Sequence, residues 1–154
     1  MNKLQTTRFG EIDINEQEII QFPKGILGFS EYHNFLLIPV DEKKEVPFYY
    51  LQSAEEGDLC FVLLDTFAFF KEYDFELDET TVQEIGLEKP EDVFVLTMVT
   101  SKGNLKEATT NLKAPIILNT SNKKAMQVVL EKGDYIIKQP LFNSEQKPNE
   151  VVKG

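Results

Sequence analysis

The sequence contains only one cysteine, Cys60, which excludes a disulfide bond within the chain. This residue lies in the apolar run 59–64. A thiol in such surroundings is expected to be a small, buried and chemically inert side chain. The scarcity of cysteine is therefore consistent with a protein that is kept in the cytosol.

Basic side chains are also few. The chain has 16 Lys and Arg against 26 Asp and Glu, for a formal charge of -10, and Arg8 is its only arginine. Neutralising phosphate groups requires clustered Lys and Arg, so this composition argues against direct binding of nucleic acid. The same charge favours a basic protein partner, whose approach it would accelerate. Solubility alone would explain the charge equally well.

Long apolar runs are absent. No segment approaches the roughly 18 apolar residues that span a bilayer, and residues 1–9 lack the apolar centre of a signal peptide. We therefore expect a cytoplasmic protein with no membrane-embedded segment.

The patterns of common enzyme sites are missing as well. His33 is the only histidine, and no group of His and Cys has the spacing of a zinc site. Neither a Walker A loop nor a G-x-S-x-G nucleophile motif occurs. We expect no catalytic site, cofactor or metal. The alternative is a small acidic β-barrel enzyme with paired Asp and Glu side chains, which would need an enclosed pocket where carboxylates converge.

The sequence does contain many short apolar segments separated by turn residues. Its twelve Phe and five Tyr favour half-buried sheet surfaces, and strands at intervals of roughly 8–12 residues are typical of antiparallel barrels and sandwiches. The predicted fold is mostly β, an antiparallel barrel-like or sandwich domain with one or two short helices. The predicted strands are residues 11–14, 18–22, 34–40, 48–53, 59–65, 92–100, 105–112, 114–119, 125–130 and 135–138.

Turn chemistry predicts how some of these segments connect. Strands 11–14 and 18–22 are expected to form one hairpin, and strands 125–130 and 135–138 another. A helix is predicted near residues 81–85, where Thr81 can cap and Glu84 can reach back, while Gly86 suits the left-handed position after its end. Residues 1–142 are predicted to form a single domain, and the polar residues 143–154 a disordered tail.

The densest acidic run spans residues 71–79. In an extended chain its acidic residues at 72, 74, 76 and 78 would project to one side and the apolar residues between them to the other. One interpretation is a solvated edge strand whose charges prevent aggregation. Another is an acidic docking surface for a basic protein, to which a partner strand could also add. A calcium site fits less well, because no ligand loop with a central glycine is present. The predicted contact residues are Phe69, Phe70, Glu72, Tyr73, Asp74, Glu76 and Asp78, and the second-choice acidic group is Glu55, Glu56 and Asp58.

Loop 23–29 is a second candidate contact. Gly25 and Gly28 permit positive φ on either side of Ile26 and Leu27. These two apolar residues either pack into the end of the barrel or contact a partner.

Two longer segments carry a resemblance. Phe22-Pro23-Lys24-Gly25-Ile26-Leu27-Gly28-Phe29 has the pattern F-P-x-G-[IL]-x-G-F, and Thr109-Thr110-Asn111-Leu112-Lys113-Ala114-Pro115-Ile116 has the pattern T-x-N-L-x-A-P-I. Two shorter segments, Thr7-Arg8-Phe9-Gly10-Glu11 and Leu51-Gln52-Ser53, belong to the same series. These four segments, in their order along the chain, resemble the FliW family of bacterial flagellar assembly factors. The resemblance covers roughly residues 1–142.

The resemblance implies a regulatory role. Members of that family bind flagellin, the filament subunit, and CsrA, a small basic RNA-binding dimer that represses flagellin translation. Accumulated flagellin occupies the factor and leaves CsrA free to repress, whereas export of flagellin lets the factor capture CsrA. The resemblance therefore implies a CsrA antagonist that is also a flagellin chaperone, and an acidic module on CsrA would oppose the approach of RNA phosphates.

Overall fold

The computed structural model describes residues 2–43, 45–101 and 103–142, and it contains eleven strands and two short α-helices in these ranges. The strands are β1 (Asn2–Thr6), β2 (Gly10–Ile14), β3 (Ile20–Gln21), β4 (Asn34–Pro39), β5 (Phe48–Ser53), β6 (Cys60–Asp65), β7 (Val93–Thr100), β8 (Thr109–Thr110), β9 (Ile116–Asn119), β10 (Lys124–Gln127) and β11 (Gln139–Pro140). The helices are α1 (Thr66–Phe69) and α2 (Glu79–Glu84).

Seven of these strands close into a barrel. Their order is β3-β4-β5-β6-β7-β9-β10, and β10 returns to β3. This last pair is parallel, and the other pairs in the ring are antiparallel. The short strands β8 and β11 continue the sheet beyond the second half of β7. The predicted fold class is confirmed.

The barrel interior is filled by large apolar side chains that come from alternate positions of the strands. Phe35, Leu51, Leu63 and Leu96 have almost no exposed surface, because successive side chains of a strand point to opposite faces and only one face lines the interior. The barrel is therefore a packed core and not an enclosed binding cavity.

A second apolar layer covers the outside of the barrel. Strand β9 is buried on both faces: Ile116 and Leu118 belong to the interior cluster, whereas Ile117 packs in a separate cluster with Tyr73 and Ile85. The chain between β6 and β7, which carries α1 and α2, supplies most of this cover. The acidic run lies in this connection, so packing against the barrel fixes its position.

Both predicted hairpins are wrong. Strand β2 pairs with β1, where Lys3 and Asp13 form a salt bridge, while β3 pairs with β4 and β10. Residues 135–138 form no strand, and β11 pairs with β8 instead. Strands β2 and β10 each pair instead with the strand just before them, β1 and β9. Strands β3 and β11 pair with segments that are more distant in the sequence.

Strand 105–112 is shorter than predicted. It is reduced to β8, and residues 105–107 form a 3₁₀ turn. The Asn111 side chain ends the strand, because its Oδ1 accepts hydrogen bonds from the backbone N–H groups of Lys113 and Ala114 at 3.1 Å each. A side chain that satisfies local backbone donors competes in this way with a sheet ladder.

The helix near residue 81 begins earlier than predicted. Asp78 caps it, since its Oδ1 accepts from the Thr81 N–H at 2.9 Å. Thr81 is therefore inside the helix and not its cap. Gly86 adopts a φ of 62°, as predicted for the residue after the helix end. The predicted tail, residues 143–154, lies outside the described residues.

Candidate functional site

The acidic run forms an extended connection that we call the acidic strap, residues 71–78. Its side chains alternate as predicted: Glu72, Asp74 and Glu76 are exposed, whereas Tyr73 is buried with 4% of its surface exposed. The strap nevertheless belongs to no strand. The edge-strand interpretation is therefore wrong, and apolar packing beneath the strap holds its extended shape.

Two tyrosines fasten the strap to the barrel. The Tyr73 hydroxyl donates to the carbonyl of Leu112 at 2.6 Å, and burial raises the pKa of Tyr73 above its usual range. The Tyr135 hydroxyl accepts from the N–H of Asp74 at 2.9 Å and donates to its carbonyl at 3.0 Å. The two rings pack edge-on with centroids 4.6 Å apart.

Asp78 differs from the other acidic residues of the strap. Its carboxylate caps α2, and the hydrogen bond from Thr81 lowers the pKa of Asp78. One of its two carboxylate oxygens is thus occupied within the fold, at the N-terminus of α2. Asp78 is therefore assigned to the fold.

The remaining three carboxylates have no internal counter-charge. The only salt bridge among the described residues joins Lys3 and Asp13. The carboxylates of Glu72, Asp74 and Glu76 accept no hydrogen bond from any described residue. In the same part of the chain no three His, Cys, Asp or Glu side chains converge as metal ligands. These three side chains present a fixed negative surface to solvent.

The aromatic residues expected beside the strap face mostly inward. Phe69 is half-buried and packs edge-on against Phe48 and Phe142, with centroids 5.9 and 5.7 Å apart. Phe70 is also half-buried and contacts both the outer apolar clusters. Together with the buried Tyr73, they anchor the strap.

Three other large apolar side chains are exposed to solvent, and the sequence analysis did not predict them as contact residues. Phe67 is 42% exposed, Ile136 49% and Ile137 58%. The two isoleucines fell in a predicted strand, which assigned them to a sheet. The pattern around Phe67 gave no sign that Phe69 and Phe70 would turn inward and leave it in solvent.

The loop 23–29 divides its two apolar residues between core and solvent. Ile26 is 1% exposed and belongs to the interior cluster, whereas Leu27 is 56% exposed. Gln127 holds the loop in place, since its Oε1 accepts from the Leu27 N–H and its Nε2 donates to the Ala114 carbonyl, both at 3.0 Å. Only Leu27 of the pair is available to a partner.

The second-choice acidic group is partly occupied. One carboxylate oxygen of Glu55 accepts from the backbone N–H groups of His33 and Asn34 and from the Asn34 side chain, at 2.7 to 3.0 Å. Asp58 accepts from the Thr7 hydroxyl. These residues tie loops together and offer less free charge than the strap.

An open polar groove of about 410 Å³ lies beside β3. Its charged lining residues are Glu16 and Lys123, so paired carboxylates do not meet there. No helix in the described ranges is long and apolar enough to cross a membrane.

Comparison with known proteins gives concordant matches. The family model described as "FliW protein" matches residues 3–141. A relative from Alkaliphilus metalliredigens, named "Flagellar assembly factor FliW", is 44% identical over 147 residues, covering 96% of this chain and 90% of the relative. One of the same name from Desulfitobacterium hafniense is 40% identical and covers 99% and 98% of the two chains. A solved structure described as "Crystal structure of the flagellar assembly factor FliW" aligns with a TM-score of 0.85 at 34% identity, covering 92% of this chain and 98% of the other.

Proposed function

Because the chain belongs to the FliW family of flagellar assembly factors, we propose that it binds flagellin and the translational repressor CsrA and catalyses no reaction. In this proposal it acts in the cytoplasm. Bound to CsrA, it antagonises repression and permits translation of flagellin. Bound to flagellin, it acts as a chaperone and leaves CsrA free. The protein binds neither nucleic acid nor membrane directly in this scheme.

The observation that carries the proposal is the set of unpaired carboxylates at Glu72, Asp74 and Glu76, on a chain with a formal charge of -10. Fixed charges of one sign raise the association rate of a partner of the opposite sign. In this proposal CsrA, which is basic, is such a partner. We assign these three residues to the CsrA-binding surface, with Phe69, Phe70 and Tyr73 holding the strap and Asp78 ending it.

We assign the exposed Leu27 to the flagellin contact, with Ile26 anchoring its loop in the barrel. The proposed flagellin contact calls for no acidic surface, and Leu27 is among the most exposed large apolar side chains of the described residues. A solvated apolar side chain on a loop that is fastened at its backbone can bind a partner without ordering the loop first.

The catalytic alternative has little support in the described part of the chain. Apolar side chains fill the barrel interior, and the polar groove beside β3 contains one carboxylate, Glu16. An acid–base pair needs two titratable groups near the same reacting atom.

The test neutralises Glu72, Asp74 and Glu76 together as E72Q/D74N/E76Q. Association with purified CsrA at low salt should slow by about tenfold, with a flatter dependence on ionic strength, because exposed charges act mainly on the association rate. Flagellin binding should change less. Stopped-flow kinetics over a range of salt concentrations measure the CsrA effect.

The matched control is E11Q/E16Q/E18Q, which removes the same charge from exposed positions outside the strap. It should associate at close to the wild-type rate. Equal slowing of both triple variants would mean that only the net charge matters, and an unchanged rate in the strap variant would remove the assignment of this surface to CsrA.

A further inference from the structure

We propose that Phe67, Ile136 and Ile137 form an apolar rim around the acidic strap, and that this surface recognises a basic segment that also carries large apolar side chains. This inference rests on the proposed function, since it describes the kind of segment through which the basic partner is held. The rim residues take the place of Phe69, Phe70 and Tyr73, which the sequence predicted as the apolar contacts.

The three rim residues belong to two segments that both contact Tyr73. The Phe67 ring lies 6.0 Å from the Tyr73 ring. The Tyr135 ring lies 4.6 Å from the Tyr73 ring, and Tyr135 directly precedes Ile136 and Ile137 in the chain. The Ile136 carbonyl accepts from the Leu112 N–H at 3.1 Å, and the Leu112 carbonyl accepts from the Tyr73 hydroxyl. Segments about 60 residues apart in the chain therefore contribute to one surface.

The exposure of these residues indicates a contact surface. Single exposed apolar side chains are ordinary, but three large ones on two segments that contact the same buried tyrosine are typical of interaction sites. Ile137, at 58%, has the highest exposed fraction among the large apolar residues described.

Charge complementarity identifies the partner segment. The carboxylates of Glu72, Asp74 and Glu76 have no internal counter-charge among the described residues, and alternate residues of an extended chain are about 7 Å apart. Lys or Arg side chains repeated at about this interval would match them. Apolar side chains of the same segment would bind the rim and lose contact with water.

The backbone of the strap argues against recognition by strand addition. A partner strand would need the N–H and carbonyl groups of the strap. Both groups of Asp74 are already bound to the Tyr135 hydroxyl. Recognition at this point is consequently by side chains, which makes the rim residues decisive for how long a partner stays bound.

The experiment compares F67S/I136S/I137S with V40S/V46S, a control that removes exposed apolar side chains from the turn between β4 and β5. In the rim variant, CsrA should dissociate about tenfold faster with an unchanged association rate and salt dependence, because apolar contacts act mainly on dissociation. The control should match the wild type. Unfolding curves establish that both variants are folded, and I137S alone is the milder substitute.

A peptide measurement separates this inference from the proposed function. The probes are a peptide that alternates Lys and Leu and an oligolysine of equal charge. The wild type should bind the alternating peptide at least tenfold more tightly than oligolysine, and the rim variant should lose that preference. If the wild type binds no CsrA but shows this preference, the proposed function fails and the rim stands. Equal binding of the two peptides, or a rim variant with wild-type dissociation from CsrA, overturns the rim.

Discussion

The hydroxyl group of Tyr135 forms hydrogen bonds with both the amide N–H and the carbonyl oxygen of Asp74, at 2.9 and 3.0 Å. One side chain thus occupies both backbone groups at the centre of the acidic strap. An extended segment with free backbone groups would resemble an edge strand and could pair with other strands. Here the strap keeps its carboxylates outward, and at Asp74 its backbone is closed to pairing.

The first prediction concerns this contact. Tyr135→Phe removes both hydrogen bonds and keeps the ring against Tyr73. The free energy of unfolding should fall by about 1 kcal/mol, and the Asp74 amide should exchange faster with solvent, because its hydrogen bond acceptor is gone. Urea unfolding and amide exchange measure the two effects.

Tyr32→Phe is the control for that substitution. Tyr32 is also partly buried, and its hydroxyl forms no hydrogen bond with the described residues. Loss of the Tyr32 hydroxyl should leave the free energy of unfolding and the exchange rate of the Asp74 amide close to their wild-type values. An Asp74 amide that exchanges at the wild-type rate in Tyr135→Phe would contradict the hydrogen bonds between the Tyr135 hydroxyl and the Asp74 backbone.

The second prediction concerns alkaline pH. Burial raises the pKa of Tyr73 in the folded state, so the folded protein keeps this proton where the unfolded chain begins to release it. The contribution of Tyr73 to stability is complete below its ordinary pKa of about 10. It is lost as the pH rises from there toward the folded pKa, with a slope of at most about 1.4 kcal/mol per pH unit.

Tyr73→Phe should remove this dependence. The variant should be less stable at pH 8 by about 1 kcal/mol, because the Leu112 carbonyl loses its partner. It should then lose stability more slowly than the wild type above pH 10. Urea midpoints at pH 8, 10 and 11 measure the difference, and parallel curves for the two proteins would show that Tyr73 does not titrate in this way.

The parts of the fold that sequence patterns could predict depend on local periodicity. The alternation around Tyr73 follows from a period of two, which holds whether or not the segment pairs with a strand. Strands β4 to β7 could be predicted from another local feature. Their apolar segments are bounded by turn residues, so existence and approximate limits follow from the adjacent sequence.

The parts that could not be predicted depend on distant contacts. Nothing near Asp74 reveals that its backbone partner is Tyr135, 61 residues later, and nothing near β3 reveals that it pairs with β10. Helix capping was ambiguous locally as well, because Asp78 and Thr81 are both good cap residues. The exposure of Phe67 and Ile137 could not be predicted from the sequence, because it depends on which neighbouring side chains fill the outer cluster.

The last prediction concerns the two glycines on either side of Leu27. Gly25 has a φ of 70° and Gly28 a φ of 85°, so a side chain at either position is strained by about 1 kcal/mol or more. Their surroundings differ. A Cβ atom at Gly25 would lie 2.6 Å from the backbone Cα of Ser30, whereas one at Gly28 would have no atom within 4 Å.

Gly25→Ala should therefore lower the free energy of unfolding more than Gly28→Ala does, because only the first must also move backbone that cannot rotate away. In Gly28→Ala, the matched control, the free energy of unfolding should fall by about 1 kcal/mol. Urea unfolding of the two variants measures the difference. Flagellin binding at a temperature where both are folded should weaken more in Gly25→Ala, because movement of the loop displaces Leu27 from its hydrogen bond with Gln127. Equal stability of the two variants would mean that the loop backbone at Ser30 yields freely, and the Leu27 loop would then not be the fixed contact proposed for flagellin.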